Sequence, residues 1–190
     1  DAQDEISPAL MKTTDSLRGL VAEAKLLTQA AVDGQLTVRG NTDQFSGAYR
    51  DIVRGVNDTL DAVIDPLNVA ARYVDRISKG DVPAKITDKY NGDFNEIKNN
   101  LNQCIDAINA LVVDANRLSH AAIQGQLATR ADATKHQGDF RKIVQGVNDT
   151  LDSVIGPLNV AAEYVDRIAN GDIPAKITDH YNGHFNEIKN

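Results

Sequence analysis

Tryptophan is absent from this chain, cysteine and methionine occur once each, and aromatic residues fill only 5% of its 190 positions. Without large rings to build around, the apolar content falls to small and branched aliphatics, which suits an elongated helical protein better than a thick single core. One cysteine excludes an intrachain disulfide framework and suits a reducing compartment. No stretch approaches the roughly 20 consecutive apolar residues that a membrane span needs, and no signal peptide is visible. The segment is therefore expected to be cytoplasmic, without membrane contact of its own. Basic residues are also in deficit, with 20 Lys and Arg against 27 Asp and Glu for a net charge of −7. That balance argues against a general affinity for nucleic acid or anionic lipid. The chain opens at Asp1 without Met and stops inside an amphipathic stretch, which reads as a piece of a longer protein.

What the chain has in abundance is repetition. Residues 47–99 recur 91 positions later at 138–190, agreeing at 41 of 53 positions, including VNDTLD, PLNVAA, YVDRI and PAKITD. The preceding stretches, 10–46 and 101–137, agree at only 12 of 37. Most of the survivors there are apolar residues and glycines. Repetition on this scale signals stacked structural units, each burying its apolar face against its neighbours. A duplicated chain offers few unique residues from which to assemble a catalytic constellation, so no enzyme is expected and no cofactor is implied.

Apolar residues are spaced by alternating threes and fours, most cleanly from Phe94 through Ile97, Leu101, Cys104, Ile108, Leu111, Ala115 and Leu118 to Ala122. Such spacing puts a narrow apolar seam along a helix, as a coiled coil requires. Ile52, Val56, Val63, Leu67, Val74 and Ile77 extend the pattern in an earlier helix, and Ile143, Val147, Leu158, Val165 and Ile168 in a later one. These residues are expected to form the bundle core and dimer seam. Gly34, Gly80, Gly125 and Gly171 each end a helix, predicting helices at about 6–33, 47–79, 93–124, 138–170 and from 184 onward. Pro66 and Pro157 fall inside the second and fourth of these, where the seam also stutters, and are expected to break them.

The segments between helices run to about 13 residues, longer than the 2–8 that an antiparallel helix hairpin uses. A connector of that length can climb back along its helix, so that the next helix runs parallel to the first. Leu36, Val82, Ile86, Leu127, Ile173 and Ile177 are the apolar residues expected to anchor connectors. Two parallel helices and a clinging strap do not close a core alone. The fold class expected is all-α: stacked parallel four-helix coiled-coil bundles formed by a homodimer.

A helix opening near Pro66, closing at Gly80, a connector anchored by Val82 and Ile86, and Asp93 ahead of the Ile97–Leu101 seam together resemble a HAMP domain. Pro157, Gly171, Ile173, Ile177 and Ile188 repeat the pattern. In the other two units the second anchor falls on Gly40 or Ala131, and no proline opens the first helix. Nearly the whole chain is thus similar to a poly-HAMP array of bacterial chemoreceptors and sensor histidine kinases. The units are expected at 1–64, 65–109, 110–155 and 156–190, the last truncated in its second helix. The resemblance implies signal transduction, in chemotaxis or a two-component system. The parallel homodimer would be covalently joined to a sensor and to an output domain of kinase or methyl-accepting type. Units one and three are expected to differ in geometry from units two and four. The competing reading is a passive coiled-coil spacer, to which anchored connectors would be superfluous; a ligand-sensing bundle is weaker still.

Blander readings prevail for the remaining residues. His180 and His184 are four apart, like helical metal ligands, but residue 180 precedes the helix and their repeat counterparts are Lys89 and Asp93. Cys104 replaces Thr13 on the seam and reads as a packed thiol. The carboxylates of the NDTLD and FNEIK runs read as solvent-facing.

Overall fold

The computed structural model describes the backbone of residues 2–189 and the side chains of residues 8–187. The Ile188 side chain, which the family pattern would place on a seam, lies outside the described residues. Among the described residues five helices follow in order: α1 (Ala2–Val32), α2 (Ala48–Ser78), α3 (Gly92–Ile123), α4 (Gly138–Ala169) and α5 (Phe185–Lys189). Among the described residues there is no strand. Two short 3-10 turns, Thr42–Gln44 and Ala133–Lys135, sit in the first and third connectors and have no counterpart in the second and fourth.

Each long helix stops in the same way. At the end of α1 the Gly34 N–H donates to Ala31 O at 3.1 Å and the Gln35 N–H to Ala30 O at 2.8 Å. This pair of bonds satisfies carbonyls that the helix itself leaves open, and it requires the intervening residue to turn left-handed. Gly34 does so, at φ 72°. Gly80, Gly125 and Gly171 end α2, α3 and α4 with the same two bonds. The prolines behave otherwise. Both α2 and α4 run unbroken through Pro66 and Pro157, which corrects the expected breaks there. A proline forfeits one backbone hydrogen bond, and the ladders on both sides span enough residues to hold the helix through it.

The chain divides into two compact units. The first comprises residues up to Pro83 together with Asp88–Lys98; the second comprises Ala84–Thr87 and everything from Asn99. In the first, the connector 33–47 doubles back along α1: Asn41 reaches Glu23, and the Phe45 ring lies against Gly19, where an added Cβ would come within 3.1 Å of it. The same connector descends α2 in reverse, with Phe45 at Arg50, Gly40 at Asn57 and Arg39 at Asp61. A strap antiparallel to both helices makes α1 and α2 parallel to each other. In the second unit, connector 124–137 does likewise, with Arg130 at Arg117 and His136 at Asp114 on α3, and Ala131 at Asn148 on α4.

Burial follows the straps. Val53 and Ile64 are buried on α2, Ile105 on α3, and Val144, Asn148 and Ile155 on α4. These positions lie one residue away from the heptad seam. The seam itself stays open in the single chain: Ile52, Val56, Val63, Leu67 and Val74 are exposed, as are Cys104, Ile143, Val147, Leu158, Val165 and Ile168. Ile77, Phe94, Ile97, Leu101, Ile108, Leu111 and Leu118 are half-buried. α2 and α4 thus present two neighbouring stripes, one buried under the connector and one exposed, while the seam of α3 is mostly half-buried.

Candidate functional site: the connector latch

A connector in neither helix nor sheet must find partners for its backbone N–H and C=O groups elsewhere. In three connectors an asparagine supplies both partners for one residue. Asn57, on α2, accepts the Gly40 N–H through Oδ1 at 2.8 Å and donates Nδ2 to the Gly40 carbonyl at 2.9 Å. Asn148, on α4, binds Ala131 identically at 3.0 and 2.8 Å. Asn102, on α3, holds Ile86 at 2.8 and 3.0 Å. A carboxamide carries one acceptor and one donor group at its tip, the complement of a single residue's N–H and C=O. Aspartate lacks the donor, and glutamine is one methylene too long for the same backbone separation.

One helical turn further on stands an aspartate, and one residue before the clamped position stands a cation. Arg39 pairs with Asp61 through Nε at 2.8 Å and Nη2 at 2.6 Å. Arg130 pairs with Asp152 in the same manner at 2.9 and 2.6 Å. Lys85 meets Asp106 at 2.7 Å. The two guanidinium groups also fold back on their own connectors: Nη1 of Arg39 donates to the carbonyls of Leu36 and Val38, and Nη1 of Arg130 to those of Leu127 and Thr129. Arg50 and Arg141 then tie the ends of the two 3-10 turns to the first turn of the following helix. Asp132 caps the second of those turns, and the Thr134 hydroxyl and amide hold its carboxyl below the usual carboxylate range.

Of the anchors expected from sequence, Ile86 is buried and clamped, and Val82 and Ile177 are half-buried. Leu36 and Leu127 are 41% and 42% exposed and contribute their carbonyls more than their side chains, while Ile173 is 86% exposed. Pro83, Phe45 and His136 are buried connector residues that the apolar pattern missed. Gly40 and Ala131 are buried at the clamp, and a Cβ on Gly40 would meet Val53 at 2.8 Å. His136 occupies the place of Phe45 in the other copy and bonds Asp114 through Nε2 at 2.7 Å. Asp61 and Asp152 lie in the runs read as solvent-facing; both are exposed, yet both are bound. The signal that would have found the latch is N-x-x-x-D, present at Asn57/Asp61, Asn102/Asp106 and Asn148/Asp152, opposite Arg39-Gly40, Lys85-Ile86 and Arg130-Ala131.

At the start of the second connector, Arg76 bonds Asp81 at 2.6 Å. The contact holds the Asp81 carboxyl below its ordinary range and the guanidinium above its own. Arg167 and Asp172 repeat that pair in the fourth connector. His180 and His184 engage separate partners, the Tyr181 carbonyl and Glu187.

Parallel helices, a glycine-ended turn and a strap clamped back onto the next helix recur along the chain, and the family model of the HAMP domain matches residues 44–110 and 135–190. The chain belongs to the HAMP domain family. The two matched regions are consistent with a tandem HAMP array, and modules of this kind generally relay signals in sensor proteins, typically in chemotaxis and two-component systems. No solved structure matches the chain. Among the described residues, no helix is long and apolar enough to cross a membrane.

Proposed function

We propose that this chain relays a conformational signal along a parallel homodimeric array of four HAMP units, at 1–64, 65–109, 110–155 and 156–190. The array connects a sensor to an output domain of kinase or methyl-accepting type. One observation carries the reading: α2 and α4 each have one apolar stripe buried under a latched connector and a second that stays exposed along the heptad seam in the single chain. Ile52, Val56, Val63 and Leu67 are 53%, 42%, 43% and 41% exposed. Apolar surface left in water is unfavourable by about 25 cal/mol per Å², and a second copy presents the same seam to cover it. Heptad spacing favours a self-complementary coiled-coil contact over a flat patch. A passive spacer needs the seam alone; the latched straps add a body that can shift against its neighbours, as two-state bundle packing requires.

The chain is expected to be a dimer by light scattering at micromolar concentration. Leu101→Cys in a Cys104→Ser background should then crosslink to itself. A monomeric mass overturns the dimer. The relay has its own test. Locking the first unit by a disulfide between the two copies' Leu17→Cys residues, at a 52% exposed apolar position of α1, again with Cys104→Ser, should alter amide hydrogen exchange in α4 relative to the reduced protein. Identical exchange in α4 with and without the lock favours the spacer.

A further inference from the structure

The attachments of connectors 33–47 and 124–137 to their two helices are unequal. To the helix that follows it, connector 33–47 is held by both ends of the Asn57 carboxamide, by the Arg39–Asp61 pair and by Arg50 on the Phe45 carbonyl. To the helix before it, its hydrogen-bonded attachment beyond the helix-ending turn is, among the described residues, a single contact, the Asn41 N–H on Glu23 at 3.2 Å. Connector 124–137 repeats the first set through Asn148, Arg130 and Arg141. Its links to α3 are of another kind: His136 on Asp114 and Arg117 on the Arg130 carbonyl. Thus the second-helix attachment is the same in both copies, whereas the first-helix attachment is rebuilt with different residues.

We propose that connectors 33–47 and 124–137 each belong mechanically to the helix that follows, with Asn57 and Asn148 as the positioning residues, and that the working joint lies between this combined body and the preceding helix. The inference rests on the relay reading for its purpose, though its geometry is independent of it. A helix that turns or slides drags whatever is bonded to its side chains most firmly. A carboxamide bonded to both backbone groups of one residue fixes position along the helix and rotation about it at once. An ion pair one turn further on prevents pivoting about that point. Against α1 the connector presents the buried Phe45 ring, seated at Gly19, an apolar contact that fixes position without a hydrogen bond.

Native-state hydrogen exchange of the whole 190-residue chain, followed across low denaturant concentrations, tests this. Segments that open together share one exchange isotherm. The amides of Ala131 and His136 are expected to join the isotherm of α4 around Val144 and Asn148, and to stay apart from that of α3 around Leu111 and Leu118. Asn148→Ala should then detach them, speeding exchange at His136 at least about tenfold while the α4 amides keep their own isotherm. Merging with α3, one isotherm common to all three segments, or connector amides that follow neither helix would each overturn the proposal. So would an Asn148→Ala variant in which connector and α4 still open together. A chain that relays nothing can still show the merging, so a failed lock experiment and a failed merging are distinguishable.

Discussion

Replacing Ile105 with alanine lowers the unfolding free energy by about 2–5 kcal/mol, the range for deleting a buried aliphatic side chain and leaving a cavity. Ile105 is 1% exposed, the largest fully buried side chain among the described residues. Its place explains the expectation. Asn102, three residues before it, clamps Ile86, and Asp106, immediately after it, pairs with Lys85. The strap is thus pinned in the same turn of α3, and its bonds resist moving inward to fill the void. Equilibrium denaturation at fixed protein concentration measures the loss. The seam offers the contrast: Ile52→Ala removes a side chain that is 53% exposed in one chain. If the chain dimerises through the seam, that loss is concentration-dependent, because it acts on association. A change below about 1 kcal/mol for Ile105→Ala would mean that the strap does not close over α3.

Asn148→Ala is the second large effect, at about 2–4 kcal/mol. The substitution leaves the Ala131 N–H and C=O without partners at a buried position, and each such group costs about 1–3 kcal/mol. Asn148 is 8% exposed and Ala131 5%, so water does not readily replace the lost bonds. Asn148→Asp separates the two halves of the clamp, keeping an acceptor for the N–H while facing the carbonyl with a carboxylate; it should not restore stability. Asp152→Asn, which weakens the other point of the same latch, should change stability by no more than about 1 kcal/mol, since its side chain is 66% exposed and solvated ion pairs are weak. Equal losses for Asn148→Ala and Asp152→Asn would put the latch energy in the ion pair and not in the carboxamide.

The helices were legible because their signals are local. Gly34, Gly80, Gly125 and Gly171 mark four helix ends to within a residue or two, and each is fixed by bonds that span no more than six residues. The prolines misled because the rule for them describes a tendency of the isolated helix, whereas Pro66 and Pro157 sit amid long ladders on both sides. The latch stayed hidden for a different reason. Its asparagines lie 16 or 17 residues from the backbone they hold, and no periodicity connects a polar residue on one helix to a glycine, an alanine or an isoleucine in a strap. Its traces in the sequence, N-x-x-x-D and a cation before each anchor, became readable only once the pairing was known.

By itself, then, the sequence determined an all-helical array: the 91-residue repeat, the heptad spacing and the glycine-ended helices are sufficient, since backbone conformation and amphipathic pattern are properties of neighbouring residues. Tertiary structure alone decided which stripe the chain covers for itself. The heptad template selected Ile52, Val56 and Val63, yet the buried residues are Val53 and Ile64 on α2 and Ile105 on α3. A helix with two adjacent apolar stripes leaves that choice open until its connector is laid down. The strap lies where Asn57, Asn102 and Asn148 satisfy its backbone, so hydrogen-bond demand sets its path and leaves the neighbouring seam of α2 and α4 exposed.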